Sequence, residues 1–192
     1  DVDDDDQVFE VFLAFQADFG TIDRIIINAG VGRGAPIGKG HYAENRATAM
    51  TNFVAALAQS EAAMEIFRAQ EFGHFVMISS LSALRGMPRH MTTYAATKVG
   101  VAHLAEGIRN ELYGRPLGER VKVTVLYPGY IESDMSSSSG SAKFMVSTEK
   151  GVKAMVRAID KQVADAVVPP LPWAPMSVFI KHAPLPIFKK LL

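Results

Sequence analysis

The stretch that decides the fold runs from His74 to Tyr127 and reads HFVMISSLSALRGMPRHMTTYAATKVGVAHLAEGIRNELYGRPLGERVKVTVLY. It begins with an apolar run from His74 to Ser80 and ends with another from Val121 to Tyr127. Short runs that are apolar throughout predict strands buried on both faces. The residues between them, from about Thr93 to Tyr113, have the spacing of one long helix. This unit therefore predicts two strands of a parallel sheet with a helix between them.

The same alternation extends in both directions from this unit. Upstream, we expect a helix from Val8 to Phe19, a strand from Ile22 to Asn28 and an Ala-rich helix from about Glu44 to Gln70. Downstream, a helix around Thr148 to Ala164 precedes a short strand at Ala166 to Val168. Buried strands that alternate with amphipathic helices predict an α/β fold, in which helices cover both faces of a parallel sheet.

The composition excludes several classes of protein. The chain has 192 residues, the length of one domain, and its 48% apolar and 21% charged residues exclude a disordered or fibrous protein. Because 20 basic residues balance 20 acidic ones, we expect no nucleic acid partner. The lack of cysteine excludes disulfides, and the scattered histidines have no metal-ligand spacing. No apolar run approaches ~18 residues and the start is acidic, so we expect no membrane span or secretory signal and predict a cytoplasmic protein.

Tyr94 and Lys98 are four residues apart on the predicted helix, so their side chains lie on one face. An ordinary tyrosine has a pKa near ~10, and bringing it to ~7 requires about 4 kcal/mol. A Lys ammonium roughly 4 Å away supplies about that much at an effective dielectric constant of ~20. The pair therefore suits an acid/base catalyst. The alternative is a solvated helix face, because a Tyr and a Lys at this spacing occur by chance in many helices.

Ser79 and Ser80 end the buried strand that precedes this helix. In an open parallel sheet, ligands bind beside the carboxyl ends of the strands. A serine hydroxyl at this place can hydrogen-bond a substrate oxygen while Tyr94 transfers its proton. No G-x-S-x-G sequence surrounds these serines, so we do not expect a serine hydrolase.

Five short motifs, in this order and approximate spacing, resemble those of the classical short-chain dehydrogenases/reductases (SDR). They are Asn28-Ala29-Gly30, Asn52, Ile78-Ser79-Ser80, Tyr94-x-x-x-Lys98 and Pro128-Gly129-Tyr130-Ile131-Glu132-Ser133. The resemblance covers nearly the whole chain up to a proline-rich tail. It implies a Rossmann-like doubly wound parallel sheet and an oxidoreductase that transfers hydride between a nicotinamide cofactor, NAD or NADP, and a carbonyl or secondary alcohol.

The resemblance implies that Tyr94 is the general acid/base, that Lys98 lowers its pKa and holds the nicotinamide ribose, and that Ser80 orients the substrate carbonyl. Asn52 would anchor a water that links Lys98 to solvent in a proton relay, and the alternative is an amide on the helix surface. Ser82 is a rival for Ser80, since the spacing from the serine to the tyrosine is one residue longer than is commonest in the family.

The resemblance also implies which residues bind the cofactor and the substrate. Those that would bind the cofactor are Asn28, Ala29, Gly30, Tyr94, Lys98, Pro128, Gly129, Ile131 and Ser133. Those that would line the substrate site are Ser80, His90, Tyr130 and Met135. A surface position is the alternative for His90, and Ser79 is expected to be structural.

The strand, glycine-rich phosphate turn and helix with which this family begins do not appear before Asp1. We therefore expect the chain to lack the first βαβαβ portion, of roughly 60 residues at ~30 or more per βαβ unit, through omission from a longer protein. A genuine truncation, which could not bind a dinucleotide normally, is the alternative. The segment Gly30 to Ala35 matches G-x-G-x-x-A, but Pro36 follows where a pyrophosphate-binding helix must begin. A nucleotide-binding or regulatory protein without turnover is the alternative, although the intact serine, tyrosine and lysine favour an enzyme.

Residues 1–170 are expected to form the C-terminal part of a single domain, and residues 171–192 a proline-rich apolar tail. Small residues beside apolar ones around Asn52 to Phe67 and Thr97 to Tyr113 predict a homodimer or homotetramer. We expect the tail to pack on its own subunit or a neighbour and to cap a hydrophobic substrate cleft. Its aromatic and basic residues make peripheral membrane contact the alternative. They are Trp173, Phe179, Lys181, Phe188, Lys189 and Lys190.

Overall fold

Four parallel strands form one sheet. The computed structural model describes residues 1–32, 34–133 and 145–190. The strands are Arg24–Ile27 (β1), Gly73–Ile78 (β2), Val121–Pro128 (β3) and Asp165–Val168 (β4), and they lie in the order β1-β2-β3-β4. Val76 of β2 is in register with Ile26 of β1 on one side and with Thr124 of β3 on the other. Every residue of β2 is buried, as its apolar run predicts.

Helices lie before, between and after the strands along the chain. They are Asp5–Phe19 (α1), Tyr42–Ala49 (α2), Ala55–Gln70 (α3), Met91–Leu112 (α4), Pro116–Arg120 (α5), Thr148–Asp160 (α6), Pro170–His182 (α7) and Leu185–Lys189 (α8). Asp4 caps α1, because its carboxylate accepts a hydrogen bond from the backbone N–H of Gln7. In the part of the chain that the structure describes, no helix is both long and apolar enough to cross a membrane.

Helices cover both faces of the sheet, and the pleat of β2 divides its side chains between two cores. Phe75 and Met77 face the larger core, which α3 and α4 close. Val76 and Ile78 face the opposite core, which Ile159 of α6 closes. The predicted α/β architecture, a parallel sheet with helices on both faces, is confirmed.

The long helix predicted from Glu44 to Gln70 is interrupted. A π-helical turn, Met50–Val54, separates α2 from α3. A π-helical turn inserts one extra residue into the helical repeat and is frequent at functional sites. Asn52 lies in the middle of this turn and is buried. Apolar periodicity could not reveal the break, because small residues on both sides of the turn satisfy a helical spacing in either register.

The proline-rich tail, for which no helix was predicted, forms α7 and α8. Pro170 and Pro186 lie in the first turns of these helices, where a missing N–H costs little because it has no partner within the helix. Both helices pack on the short 3₁₀ turn Leu81–Leu84 through a third buried cluster, the tail core. Its buried members are Leu81, Val146, Trp173, Ile180, Ala183 and Phe188.

The tail packs on its own subunit, which was the first expectation. Trp173 and Phe188 are only 2% and 3% exposed. Aromatic side chains at a membrane surface must be free to enter the lipid, and these two are buried in the tail core. The membrane-contact alternative therefore loses two of its three aromatic anchors.

Because the strands are parallel, their carboxyl ends meet at one edge of the sheet. At this edge, Asn28–Gly30 follows β1, Ser79 follows β2 and Gly129 follows β3. The fold therefore brings motifs from distant parts of the sequence to one place.

Candidate active site

The turn after β2 is held by its own serines. Ser79 is buried, and its hydroxyl donates a 2.7 Å hydrogen bond to the carbonyl of Lys98, which attaches the end of β2 to α4. The Ser80 hydroxyl oxygen accepts hydrogen bonds from the backbone N–H of Ser82 at 3.2 Å and from the Ser82 hydroxyl at 3.0 Å. Because Ser80 is the acceptor in both, its own proton is free to be donated elsewhere.

Ser80 lies beside Tyr94, and three influences act on the Tyr94 phenol. Burial raises the pKa of Tyr94, a hydrogen bond with the Ser80 side chain lowers it, and the nearby Tyr130 raises it again. Burial has the largest effect, so the pKa of Tyr94 lies above its ordinary value. The structure therefore holds the phenol in its protonated form, which is the form that an acid catalyst needs.

Lys98 lies one helical turn after Tyr94, with its ammonium nitrogen 5.8 Å from the centre of the Tyr94 ring. This nitrogen donates a 3.0 Å hydrogen bond to the carbonyl of Ile78, and the residue is buried. Burial disfavours the charged form and lowers the pKa of Lys98 to about 8. A lowering of the Tyr94 pKa by Lys98 stays a prediction.

Asn52 is 1% exposed, and its amide holds the loop that follows β1. Its Oδ1 accepts a hydrogen bond from the N–H of Val31 at 2.7 Å, and its Nδ2 donates to the Val31 carbonyl at 2.9 Å. The Nδ2 also donates to the Thr97 hydroxyl at 3.3 Å. The alternative of a helix-surface amide is therefore wrong. A proton relay that involves Asn52 stays a prediction, since these contacts give the side chain a positioning role.

Asn45, which was not among the predicted site residues, makes the same kind of contact two helical turns earlier. Its Oδ1 accepts a 3.1 Å hydrogen bond from the N–H of Ala35, and its Nδ2 donates to the Ala35 carbonyl at 3.1 Å. The Thr93 hydroxyl, at the start of α4, donates to the same Oδ1 at 2.8 Å. The signal was a second Asn seven residues before Asn52, since that spacing is two turns of a helix.

The backbone of Asn28–Gly30 passes close to Lys98. A Cβ at Gly30 would lie 3.3 Å from the Lys98 Nζ and 3.3 Å from the Asn52 Oδ1, so any side chain would fill this space. Ribose hydroxyls both donate and accept hydrogen bonds, and an ammonium, a phenol and backbone carbonyls are suitable partners for them. The residues present therefore fit the nicotinamide-ribose half of a dinucleotide.

The loop after β3 contacts the tail at one of the predicted cofactor residues. Gly129 lies against the indole of Trp173, and a Cβ at this position would overlap the ring. Ile131 forms a parallel bridge with Val146, and Ser133 is exposed. A glycine is therefore required at position 129 by the packing of the tail, whatever its role toward a cofactor.

The predicted substrate residues are only partly brought together. Tyr130 packs on Trp173 with ring centroids 5.6 Å apart, and it is close enough to raise the pKa of Tyr94. His90 is exposed where α4 begins. Met135 lies outside the described residues. The structure thus places Tyr130 near Tyr94, and the Trp173 ring of the tail packs against Tyr130.

Comparison with known proteins shows the family. The chain matches the family model of the short chain dehydrogenases over residues 1–144. It is 46% identical over 176 residues to an uncharacterized oxidoreductase of Mycobacterium tuberculosis (strain ATCC 25618 / H37Rv), which is 92% of this chain and 68% of the relative. It is 30% identical over 138 residues to the 3-oxoacyl-[acyl-carrier-protein] reductase FabG of Chlamydia trachomatis, which is 72% of this chain and 54% of that relative.

Comparison with solved structures shows the same fold. A short chain dehydrogenase from Burkholderia cenocepacia J2315, in complex with NADP, matches with a TM-score of 0.81 at 22% identity. The match covers 100% of this chain and 78% of that one.

The chain therefore belongs to the short-chain dehydrogenase family. The resemblance inferred from its five motifs, the Rossmann-like fold class and the expectation of an NAD(P)-dependent oxidoreductase are confirmed. Enzymes of this family interconvert carbonyl compounds and alcohols.

Proposed function

We propose that the protein interconverts a hydrophobic carbonyl compound and its secondary alcohol, with Ser80, Tyr94 and Lys98 as the catalytic residues. The observation that carries this proposal is the contact between the Ser80 and Tyr94 side chains, with Lys98 one helical turn away. Two neighbouring hydroxyls at the carboxyl edge of a parallel sheet can both reach one substrate oxygen.

The cofactor site is proposed around the same residues. Lys98 and Tyr94 would bind the hydroxyls of the nicotinamide ribose, and the open backbone at Asn28–Gly30 would leave room for it. Pro128 to Ser133 would lie beside the nicotinamide amide. When bound, NAD or NADP supplies or accepts the hydride at the substrate carbon.

Tyr94 moves the proton in this proposal. During reduction, its phenol gives a proton to the substrate oxygen, and the Ser80 hydroxyl donates a hydrogen bond to the same oxygen. Burial keeps the phenol protonated, which suits this direction. During oxidation, the phenolate accepts the proton of the alcohol, and the charged form of Lys98 stabilises that phenolate. Because burial lowers the pKa of Lys98 to about 8, this support is lost as the pH rises above about 8.

A hydrophobic substrate fits the surroundings of the catalytic hydroxyls. Ser80 caps the turn Leu81–Leu84, and Leu81 and Leu84 belong to the tail core or pack against it. Tyr130 and Met176 pack against the same cluster. An apolar chain attached to the carbonyl would meet these side chains, and its burial would contribute ~0.8 kcal/mol per CH₂. The relative named as a 3-oxoacyl-[acyl-carrier-protein] reductase supports a carbonyl attached to an aliphatic chain.

A homodimer or homotetramer is proposed through α3 and α4. Phe53 and Leu57 leave more than a third of their surface exposed on this side of the molecule. The Phe53 ring, in the π-helical turn just before α3, lies against Gly100 of α4, where a Cβ would be 2.9 Å from it, so this turn and α4 form one apolar surface. Such a surface can pack closely against a second copy around a two-fold axis. A cytoplasmic location stays a prediction.

The reaction is tested by following the oxidation of NADH and NADPH with diacetyl and with decanal. We expect Ser80→Ala to lower kcat at least ~10²-fold, because the substrate oxygen loses its hydrogen-bond donor. Ser82→Ala is the matched variant and should lose less than ~10-fold, since Ser82 only supports Ser80. A larger loss for Ser82→Ala would transfer the role to Ser82, and no turnover of either carbonyl by the wild type would disprove the proposed function.

A further inference from the structure

α7 lies next to the turn formed by residues 80–84, the serine turn, and is attached near both of its own ends. Near its start, Trp173 packs against Tyr130, which follows β3. At its end, the carbonyls of Ile180 and Ala183 accept hydrogen bonds from Arg85, which follows β2. The helix therefore joins the two loops that frame the proposed substrate site.

Arg85 contacts both helices of the tail. Its Nη1 donates to the Ile180 carbonyl at 3.2 Å and to the Ala183 carbonyl. Its guanidinium carbon lies 4.4 Å from the centre of the Phe188 ring on α8. The last carbonyls of a helix have no partners within it, and a cation beside them is favourable. Arg85 thus completes the end of α7 and holds α8 by a cation–π contact.

The backbone of Arg85 belongs to the catalytic side of the molecule. Arg85 directly follows the 3₁₀ turn Leu81–Leu84, whose first residue is preceded by the cap Ser80. Leu81 from this turn packs in the tail core with Trp173. The serine turn and the tail are therefore attached to each other by the apolar contacts of the turn and by the Arg85 side chain.

We propose that Arg85 is a positioning residue that determines substrate specificity by fastening α7 and α8 over the serine turn. The apolar side chains of the tail then form a fixed wall for the chain of a long aliphatic carbonyl. The contacts of Arg85 are with the tail, and Ser80 and Tyr94 perform the chemistry. A small carbonyl does not extend to the wall and does not require Arg85. This inference rests on the proposed function.

An arginine is required here because its contacts need a flat cation with several donors. The guanidinium presents N–H groups to two carbonyls while its face lies on Phe188. A lysine ammonium keeps the charge but offers a point donor on a flexible stem and has no flat face. Arg85→Lys should therefore restore only part of what Arg85→Met removes.

The test compares Arg85→Met, Arg85→Lys and the control Arg115→Met in the full-length protein. Arg115 is exposed in the loop before α5. For Arg85→Met we expect the KM for decanal to rise about tenfold, the size of effect that a few apolar contacts produce. The kinetic constants for diacetyl should stay within about twofold. Backbone hydrogen exchange in α7 and α8 should become faster. For both the decanal KM and the exchange rates, Arg85→Lys should lie between Arg85→Met and the wild type. Arg115→Met should match the wild type.

Two outcomes would overturn the inference. Unchanged decanal KM and unchanged exchange in α7 and α8 would show that Arg85 does not fasten the tail. Equal losses for decanal and diacetyl would show a general structural role without specificity. If the wild type reduces neither carbonyl, the proposed function and the role in specificity fail together, whereas the exchange rates still report whether Arg85 fastens the tail.

Discussion

Tyr94 keeps its proton because burial outweighs the hydrogen bond from Ser80. Replacing the phenol by phenyl removes that proton and keeps the packing of the ring. We expect Tyr94→Phe to lower the rate of diacetyl reduction at least ~10²-fold, with an unchanged circular dichroism spectrum and melting temperature. A rate within a few-fold of the wild type would remove Tyr94 from the mechanism.

Gly129 leaves the space that the indole of Trp173 fills. Gly129→Ala should force the ring to move and lower the free energy of unfolding by about 1–3 kcal/mol, as overpacking does. Trp173 is the single Trp of the chain, so its fluorescence reports the displacement directly. Gly107→Ala is the control. A Cβ at Gly107 meets nothing within 4 Å, and alanine favours a helix by roughly 1 kcal/mol, so this variant should be no less stable than the wild type. Unchanged emission in Gly129→Ala would contradict the packing described.

At the scale of elements, the π-helical turn and the tail shape the site. The turn Met50–Val54 directs the Asn52 amide to Val31, and α7 with α8 covers the serine turn. The π-helical turn departs from regular helical spacing, and it holds the loop at Val31. The helices α7 and α8 form in spite of their many prolines, and they cover the turn after β2.

Deletion of Trp173 to Leu192 should weaken turnover of decanal more than turnover of diacetyl. The reason is that the tail supplies Trp173 and Ile180 to the apolar cluster beside Ser80, and a small carbonyl has no chain to bury there. Steady-state kinetics with both substrates measure the difference, and Trp173→Ala repeats it with a smaller change to the fold. Equal effects on the two substrates, or none, would show that the tail is no part of the substrate site. Co-sedimentation with lipid vesicles should be the same with and without the tail, because Trp173 and Phe188 are buried.

At the scale of the whole molecule, His74 joins three strands and the segment before β4. Its Nδ1 accepts a 3.1 Å hydrogen bond from the Arg24 Nε, and its Nε2 lies 2.9 Å from the Thr124 hydroxyl. That hydroxyl donates to the Val163 carbonyl at 2.6 Å, so the Nε2 must be the donor and the ring neutral. Burial, and then the charge of Arg24, lower the pKa of His74 to about 4, although Asp160 opposes this.

This network predicts how stability depends on pH. The unfolded chain binds a proton on His74 near pH ~6.5 and the folded chain only near pH 4, so the unfolded state holds more protons between these values. The contribution of His74 is complete above pH ~6.5 and is lost as the pH falls toward 4, by up to about 3 kcal/mol. Urea unfolding between pH 4 and pH ~6.5 should show the free energy of unfolding falling as the pH falls. His74→Gln should make this dependence on pH weaker, and the exposed control His103→Gln should leave it unchanged. A slope that persists in His74→Gln would assign the effect to other groups.

The apolar surface of α3 and α4 predicts the state of association. Leu57 of α3 and Phe53 of the π-helical turn before it are exposed on this surface, and a second copy would bury them. Light scattering on the full-length protein at micromolar concentration should give the mass of a dimer or tetramer, and Leu57→Glu should shift it toward the monomer. Tyr113→Glu is the control, because Tyr113 is exposed beyond the end of α4. A monomeric wild type would refute the interface.

The sequence by itself determined the parallel sheet and its helices, because a strand buried on both faces must be apolar throughout and a covering helix must repeat its apolar residues. The nearness of the Tyr94 and Lys98 side chains also followed from the sequence, because the two residues are one helical turn apart. Burial and long-range partners depended on the tertiary structure. It raised the pKa of Tyr94 by burying it, and it directed Asn52 to Val31 and Arg85 to the end of α7. These contacts join residues 21 and 95 positions apart, and no local pattern states which distant carbonyl a side chain will meet.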